Sequence, residues 1–149
     1  MSKSTIELKI PGELGYEKVA MEAAATMARK MKFAAERVED LRTAVSEACI
    51  NAIEHGAKGD PGRKVAVALT RDGKKLQIAV KDRGPGFIYD LDEPRIFAKL
   101  AEEGNTRGWG MFLIENLVDE VRITSTPNKG TTVRMVIHLD NAEEGRGDE

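Results

Sequence analysis

Glu47, Asn51 and His55 stand four residues apart in the segment Glu47-Ala-Cys-Ile-Asn51-Ala-Ile-Glu-His55-Gly56, with Thr43 one step upstream. On a helix such steps fall on one face, so a carboxylate, a carboxamide and an imidazole form a stripe. A solvated polar face would carry the same stripe. The chemical reading is that Asn51 lends its carbonyl oxygen to a magnesium ion bearing a triphosphate. Magnesium takes few protein oxygens and leaves its other positions to phosphate and water. Glu47, one turn away, can then accept the proton of an attacking hydroxyl.

Two further pieces suit the same ligand. Asp82-Arg-Gly84-Pro-Gly86-Phe87 closes an apolar alternating run. Asp and Gly are ordinary turn residues, yet Asp82 can also accept from the exocyclic amine of adenine, with Gly84 and Gly86 letting a flat base approach the backbone. Gly104-Asn-Thr-Arg107-Gly108-Trp-Gly110-Met111 precedes an apolar helical stretch. Small residues at a helix start serve as capping, or leave bare N–H groups for phosphate. Arg107 can reach a terminal phosphate, and the Thr131 hydroxyl, an ordinary strand residue by default, can support the adenine through water. Together the three pieces describe an ATP pocket without a P-loop.

The elements that must position these residues are legible in outline. The chain has 149 residues, 41% hydrophobic and 32% charged, with net charge −2. That suits one soluble domain, and excludes a general electrostatic draw to nucleic acid or anionic membrane. The lone Cys49 reads as a buried reduced thiol. No apolar run approaches the ~18 residues of a membrane span and the N-terminus lacks a signal-peptide core, so a cytoplasmic location is expected. Residues 5–10 alternate as a half-buried strand. Helices are expected over 14–33 and 35–55, the second stopping at Gly56. Residues 65–69 and 76–80 flank Asp72-Gly73 as a hairpin. A loop over 87–107 with a short helix at 96–102 is long enough to be functional. A helix from Gly110 to Val118 and a second hairpin, 121–125 with 131–139, follow. Hairpins with intervening helices predict α+β: a two-layer sandwich of a mixed, mostly antiparallel sheet with helices on one face. Residues 1–139 form the expected domain and 140–149 a disordered tail.

Glu47-x-x-x-Asn51-Ala-x-x-His55-Gly56, Asp82-x-Gly84-x-Gly86, Gly108-x-Gly110 and Gly130-Thr131 resemble the four conserved boxes of the GHKL (Bergerat-fold) ATPases. Val45-Ser-Glu47-Ala and the run from Gly110 through Asp119 resemble the bacterial anti-sigma-factor serine kinases of partner-switching systems, across roughly residues 5–139. The resemblance implies ATP under a mobile lid at 87–109 and Asn51 as magnesium ligand. It implies Asp82 as adenine reader, Glu47 as catalytic base, and Gly84, Gly86, Gly108 and Gly110 as close-approach backbone. His55, Arg107, Met111 and Thr131 complete the expected nucleotide contacts. The implied substrate is a serine or threonine of a small STAS-type antagonist, with a sigma factor as second partner and a homodimer as assembly. A switch kinase with a non-sigma target, or a nucleotide-binding regulatory module without kinase activity, fits the same residues. A sensor histidine kinase fits poorly, because His55 and His138 are the only histidines.

Overall fold

Alternation sets the sheet. The computed structural model describes residues 3–87 and 89–139, so the expected tail at 140–149 lies outside the described residues. Five strands, β1 (Lys3–Ile10), β2 (Val65–Asp72), β3 (Lys75–Asp82), β4 (Glu120–Thr126) and β5 (Gly130–His138), pair in the order β1-β2-β3-β5-β4. Every pair is antiparallel; the parallel pair that a mixed sheet allows does not occur among the described strands. Val65, Val67 and Leu69, Leu76, Ile78 and Val80, and Val133, Met135 and Ile137 all turn to one buried face. Burying each is worth about 1.5–3 kcal/mol. The opposite face mixes polar residues such as Glu7, Lys9, Gln77 and Arg134 with half-buried Ala66, Ala68, Ala79 and Val136.

Of four helices, α1 (Glu17–Lys30), α2 (Ala35–Asn51), α3 (Ile96–Glu102) and α4 (Thr106–Leu117), the first two and the last lie on the buried face, and α3 packs on α4. Ala20, Ala24, Ala25 and Ala28 of α1 are fully buried, and such small side chains let its backbone lie close to α2 and the sheet. α1 starts later than expected, because Gly15 at φ +111° turns the chain and Leu14 stays 57% exposed. The helix layer also stops short of the edge strand. Ile10 is buried, but Ile6 is 43% exposed although it pairs with the fully buried Leu69.

Two features align the helices that carry the candidate site. Arg37 near the start of α2 donates to the Leu117 carbonyl at 3.0 Å and pairs with Asp119 at 3.1 Å, tying α2 to the end of α4. Asp82, the last residue of the central strand β3, stands opposite Thr131 on β5. The strand end, the end of α2 and the start of α4 thus meet at one edge of the sandwich.

Candidate functional site

The end of α2 departs from the expected helix. After Asn51 the chain widens into a π-helical turn over Ala52–Ala57, then leaves through Lys58 in the left-handed region at φ 54°. Gly59 N–H closes that turn on the Ile53 carbonyl at 3.1 Å. π-Turns within helices are rare and often mark functional sites. Here the turn lays Gly56 flat against Asp82. A Cβ on Gly56 would fall on the Asp82 side chain, and one on Gly84 would stand 2.5 Å from the Gly56 Cα and 2.7 Å from its carbonyl oxygen. Both positions require glycine for close approach.

Asp82 is 5% exposed. Its Oδ1 accepts the Gly84 N–H at 2.8 Å. Burial pushes its pKa above the ordinary carboxylate value, against the opposing pulls of the Gly84 N–H and the Arg107 charge. Beside it, the Thr131 hydroxyl lies 3.1 Å from Ser125 Oγ, which also accepts the Phe87 N–H at 2.8 Å. Ser125 therefore links the loop at Phe87 to β5. The sequence reading missed it, since a serine in a strand carries no local signal.

α4 begins at Thr106, four residues ahead of the expected start at Gly110. Its cap is Asn105, whose Oδ1 accepts the Gly108 N–H at 2.8 Å while its Nδ2 donates to Tyr89 Oη at 3.0 Å. Asn is a favoured helix cap, and its place three residues before Gly108 was the available signal. Gly108 and Gly110 thus lie within the helix, and the Gly108 N–H is already engaged. A Cβ on Gly108 would strike Leu100 of α3; one on Gly110 would stand 2.9 Å from Glu47 Oε2 and 3.1 Å from Asn51 Nδ2. Gly110 is where α4 touches both functional side chains of α2.

Asn51, Asp82, Arg107, Met111 and Thr131, all singled out from sequence, line one cavity together with Phe87. Its volume is about 10 Å³, room for roughly one water. The Arg107 guanidinium is part of the lining and lies over the Phe87 ring at 3.6 Å from its centroid. Arg107 Nε and Asn51 Nδ2 are buried without hydrogen-bond partners. Two orphaned polar groups in one cleft, walled otherwise by Ala48, Ala52, Val80 and Val133, suit a polar ligand that enters once Arg107 and Phe87 withdraw. Glu47 and Gly110 adjoin Asn51, while Gly84 packs on Gly56 and Gly86 on Ser125, outside the cavity lining. Gly108 faces α3 instead of the cleft.

The charges around the cleft are tuned by burial. Glu47 has a raised pKa, chiefly from desolvation and then from the nearby Glu54 charge. His55 is lowered, by burial first and by Arg107 second, with Glu54 and Asp82 opposing. That keeps its imidazole neutral over a wider range. Among the described residues no group of three or more His, Cys, Asp or Glu side chains can hold a metal, and no helix is long and apolar enough to cross a membrane.

A sandwich whose polar side chains Asn51, Asp82, Arg107 and Thr131 converge at one edge matches a known class. The family model of the histidine kinase-like ATPase domain matches residues 10–137, and the chain belongs to that family, which carries ATP binding with it. Within it stand the serine-protein kinases: the chain is 32% identical over 146 residues to the serine-protein kinase RsbW of Bacillus velezensis, spanning 95% of this chain and 90% of that one. Among solved structures, the RsbU and RsbW domains of Rv1364c from Mycobacterium tuberculosis superpose with a TM-score of 0.65 at 20% identity, over 91% of this chain and 32% of that one. The SiaB–SiaC complex from Pseudomonas aeruginosa gives 0.65 at 14% identity, over 89% and 88%. At those identities the likeness is one of fold.

Proposed function

We propose that this chain is a cytoplasmic protein serine/threonine kinase and anti-sigma factor. It transfers the γ-phosphoryl group of ATP to a hydroxyl on a small STAS-type antagonist, and holds a sigma factor while unmodified antagonist is scarce. A homodimer is the proposed assembly. The observation that supports the phosphotransfer reading is that Glu47 Oε2 and Asn51 Nδ2 lie 2.9 and 3.1 Å from the position a Cβ on Gly110 would take, so both side chains converge there. Proton acceptor and phosphate end then occupy one corner of the cleft. The serine-protein kinase name of the sequence relative supports the same reaction class.

The roles follow from the positions. Asp82 accepts from the adenine amine at the buried end, with Thr131 and Ser125 beside it. Gly56, Gly84 and Gly86 let the base lie against backbone. Asn51 is suited to magnesium: it offers one uncharged oxygen, its amide is free of competing partners, and magnesium leaves its remaining positions to phosphate and water. Bound there, the ion would neutralise phosphate charge as the transfer proceeds. Glu47 takes the proton of the attacking hydroxyl; its raised pKa brings it closer to the working range of a general base. Arg107, once off Phe87, reaches the terminal phosphate. Closure of residues 87–109 over the nucleotide excludes water, which would otherwise compete with the acceptor.

The test is a pull-down on the full chain from its native host in the presence of radiolabelled ATP and magnesium. A labelled small protein together with a retained sigma factor is the expected result. A labelled protein with no sigma factor would support a switch kinase with another target. Nucleotide binding without any labelled protein would leave a regulatory module and overturn the kinase assignment.

A further inference from the structure

A second cavity lies back to back with the nucleotide cleft, behind Asp82. It has a volume of about 580 Å³, and five cationic side chains, Lys9, Arg63, Lys64, Lys81 and Arg83, line it. In a chain of net charge −2, this is a local concentration of one sign. The only acid within ion-pair reach of these five, among the described residues, is Asp60, 4.0 Å from Arg63. Asp82 is the single acid in the lining, and its carboxylate is engaged by Gly84 N–H.

The walls are built before any ligand arrives. Lys9 on β1 and Lys81 on β3 both pair with Ala66 of β2, on the face of the sheet away from the helices. Two strand spacings put them roughly 10 Å apart across a methyl-sized floor. Gly56 and Ala57 of the π-turn form the inner wall. The outer wall is the loop 58–64, held by the Gly62 N–H bond to Asp60 Oδ1 at 2.9 Å and the Gly59 bond to Ile53. Gly12 braces it from below: a Cβ there would meet the Asp60 carbonyl at 2.6 Å and the Arg63 carbonyl at 2.5 Å.

We infer that this trough is a second anion site, which binds a soluble small molecule carrying closely spaced phosphate groups. Size decides between ligand classes. Sites for small molecules are concave and run to roughly 300–1,000 Å³, whereas a protein partner needs about 800 Å² per side of much flatter surface. The five cations supply charge-assisted hydrogen bonds to phosphate oxygens. The small floor of Gly56, Ala57 and Ala66 accepts a flat or apolar remainder. The site shares its Gly56–Asp82 wall with the nucleotide cleft but none of the residues assigned to phosphoryl transfer, so it does not depend on the kinase reading.

The experiment is a titration of the full chain with pyrophosphate at physiological ionic strength, followed by backbone amide chemical shifts. Saturable shifts at Ala57, Gly62, Lys64, Ala66 and Lys81 are expected. A Lys9→Gln/Lys81→Gln double variant should bind pyrophosphate at least tenfold more weakly, and Ala66→Glu, which puts a carboxylate on the floor, should abolish binding. These positions border solvent, and an unchanged thermal midpoint checks that each variant folds. Affinity for a non-hydrolysable ATP analogue with magnesium should be unchanged in the double variant. The inference falls if no saturable shift appears, if shifts are confined to Asn51, Asp82 and Met111, or if the double variant binds pyrophosphate as tightly as the unmodified chain. It falls too if anionic vesicles or an acidic peptide bind where pyrophosphate does not. Failure of the kinase reading would show separately, as absent analogue binding in the unmodified chain.

Discussion

The Arg107 guanidinium lies over the Phe87 ring at 3.6 Å from its centroid, and both residues line the cavity that Asn51 and Asp82 share. Both residues are half-buried, and a cation–π contact of this kind is worth about 1 kcal/mol. Removing it should open the cleft, and both residues fall within the lid proposed over residues 87–109. Trp109, the only tryptophan, sits two positions from Arg107 and is 52% exposed. Its emission should therefore change on addition of an ATP analogue with magnesium. Phe87→Ala should speed association severalfold in stopped-flow fluorescence. A silent Trp109 and an unaltered association rate would mean that Arg107 and Phe87 do not gate the cleft.

Glu47→Gln keeps size and polarity but removes the proton acceptor. Phosphotransfer should fall by roughly 10²–10⁴-fold, the usual worth of a positioned general base, while analogue affinity stays within about threefold. Because burial and Glu54 raise the Glu47 pKa, the unmodified enzyme should lose activity on acidification at a pH above that of a free glutamate. That acid limb should vanish in the Gln variant's residual activity; its persistence would assign the limb to another group.

Asn51→Ala should separate magnesium from nucleotide. Affinity for the ATP analogue with magnesium is expected to fall about tenfold or more, equivalent to at least ~1.4 kcal/mol. Affinity in the presence of a chelator should change much less. Isothermal titration under both conditions reads the difference, and equal losses in the two would remove Asn51 from the metal.

Asp82→Asn should trade binding for stability. The folded-state pKa of Asp82 is raised, so the folded state holds this proton at pH values where the unfolded chain has released it. Stability then declines as pH rises from the free-aspartate value through the raised one. The Asn variant should lose this slope and melt at neutral pH no lower than the parent, because its amide oxygen can still accept the Gly84 N–H. Its nucleotide affinity should drop and its preference for adenine relax. A lower melting point would show that the ionised carboxylate stabilises the folded state more than burial opposes it.

Gly110→Ala tests the contact that joins α4 to α2. The added methyl would stand 2.9 Å from Glu47 Oε2 and 3.1 Å from Asn51 Nδ2. Overpacking of this kind costs about 1–3 kcal/mol, and the displaced side chains should lower phosphotransfer more than denaturation midpoints suggest. Gly104→Ala provides contrast: it meets no atom within 4 Å, though its φ of +84° adds backbone strain. It should cost stability with little effect on transfer per folded molecule.

Much of this architecture was legible from local pattern. Alternation located β2 and β3 around Asp72-Gly73, and the short helix α3 falls at Ile96–Glu102 as the sequence predicts. Such features depend on neighbours within a few residues, which the chain displays directly. Boundaries fared worse. α1 starts late because a glycine turn intervenes, and the start of α4 is set by Asn105, whose amide is held in turn by Tyr89. The edge strand's apolar alternation at Ile6 found no helix to cover it.

The sequence by itself determined which side chains are available: an acid, an amide and an imidazole at helical steps, an aspartate after a strand, and glycines at the turns. Their order alone identified the ATPase class. Only the tertiary structure decided that α2 opens into a π-turn so that Gly56 meets Asp82, that Ser125 links Phe87 to Thr131, and that Arg107 and Phe87 meet in the cleft lining. It also brought Lys9 and Lys81, 72 positions apart in the chain, to either side of Ala66. The physical reason is that periodicity encodes which face a residue occupies. What stands opposite that face depends on packing between segments distant in the chain, and no local pattern records it.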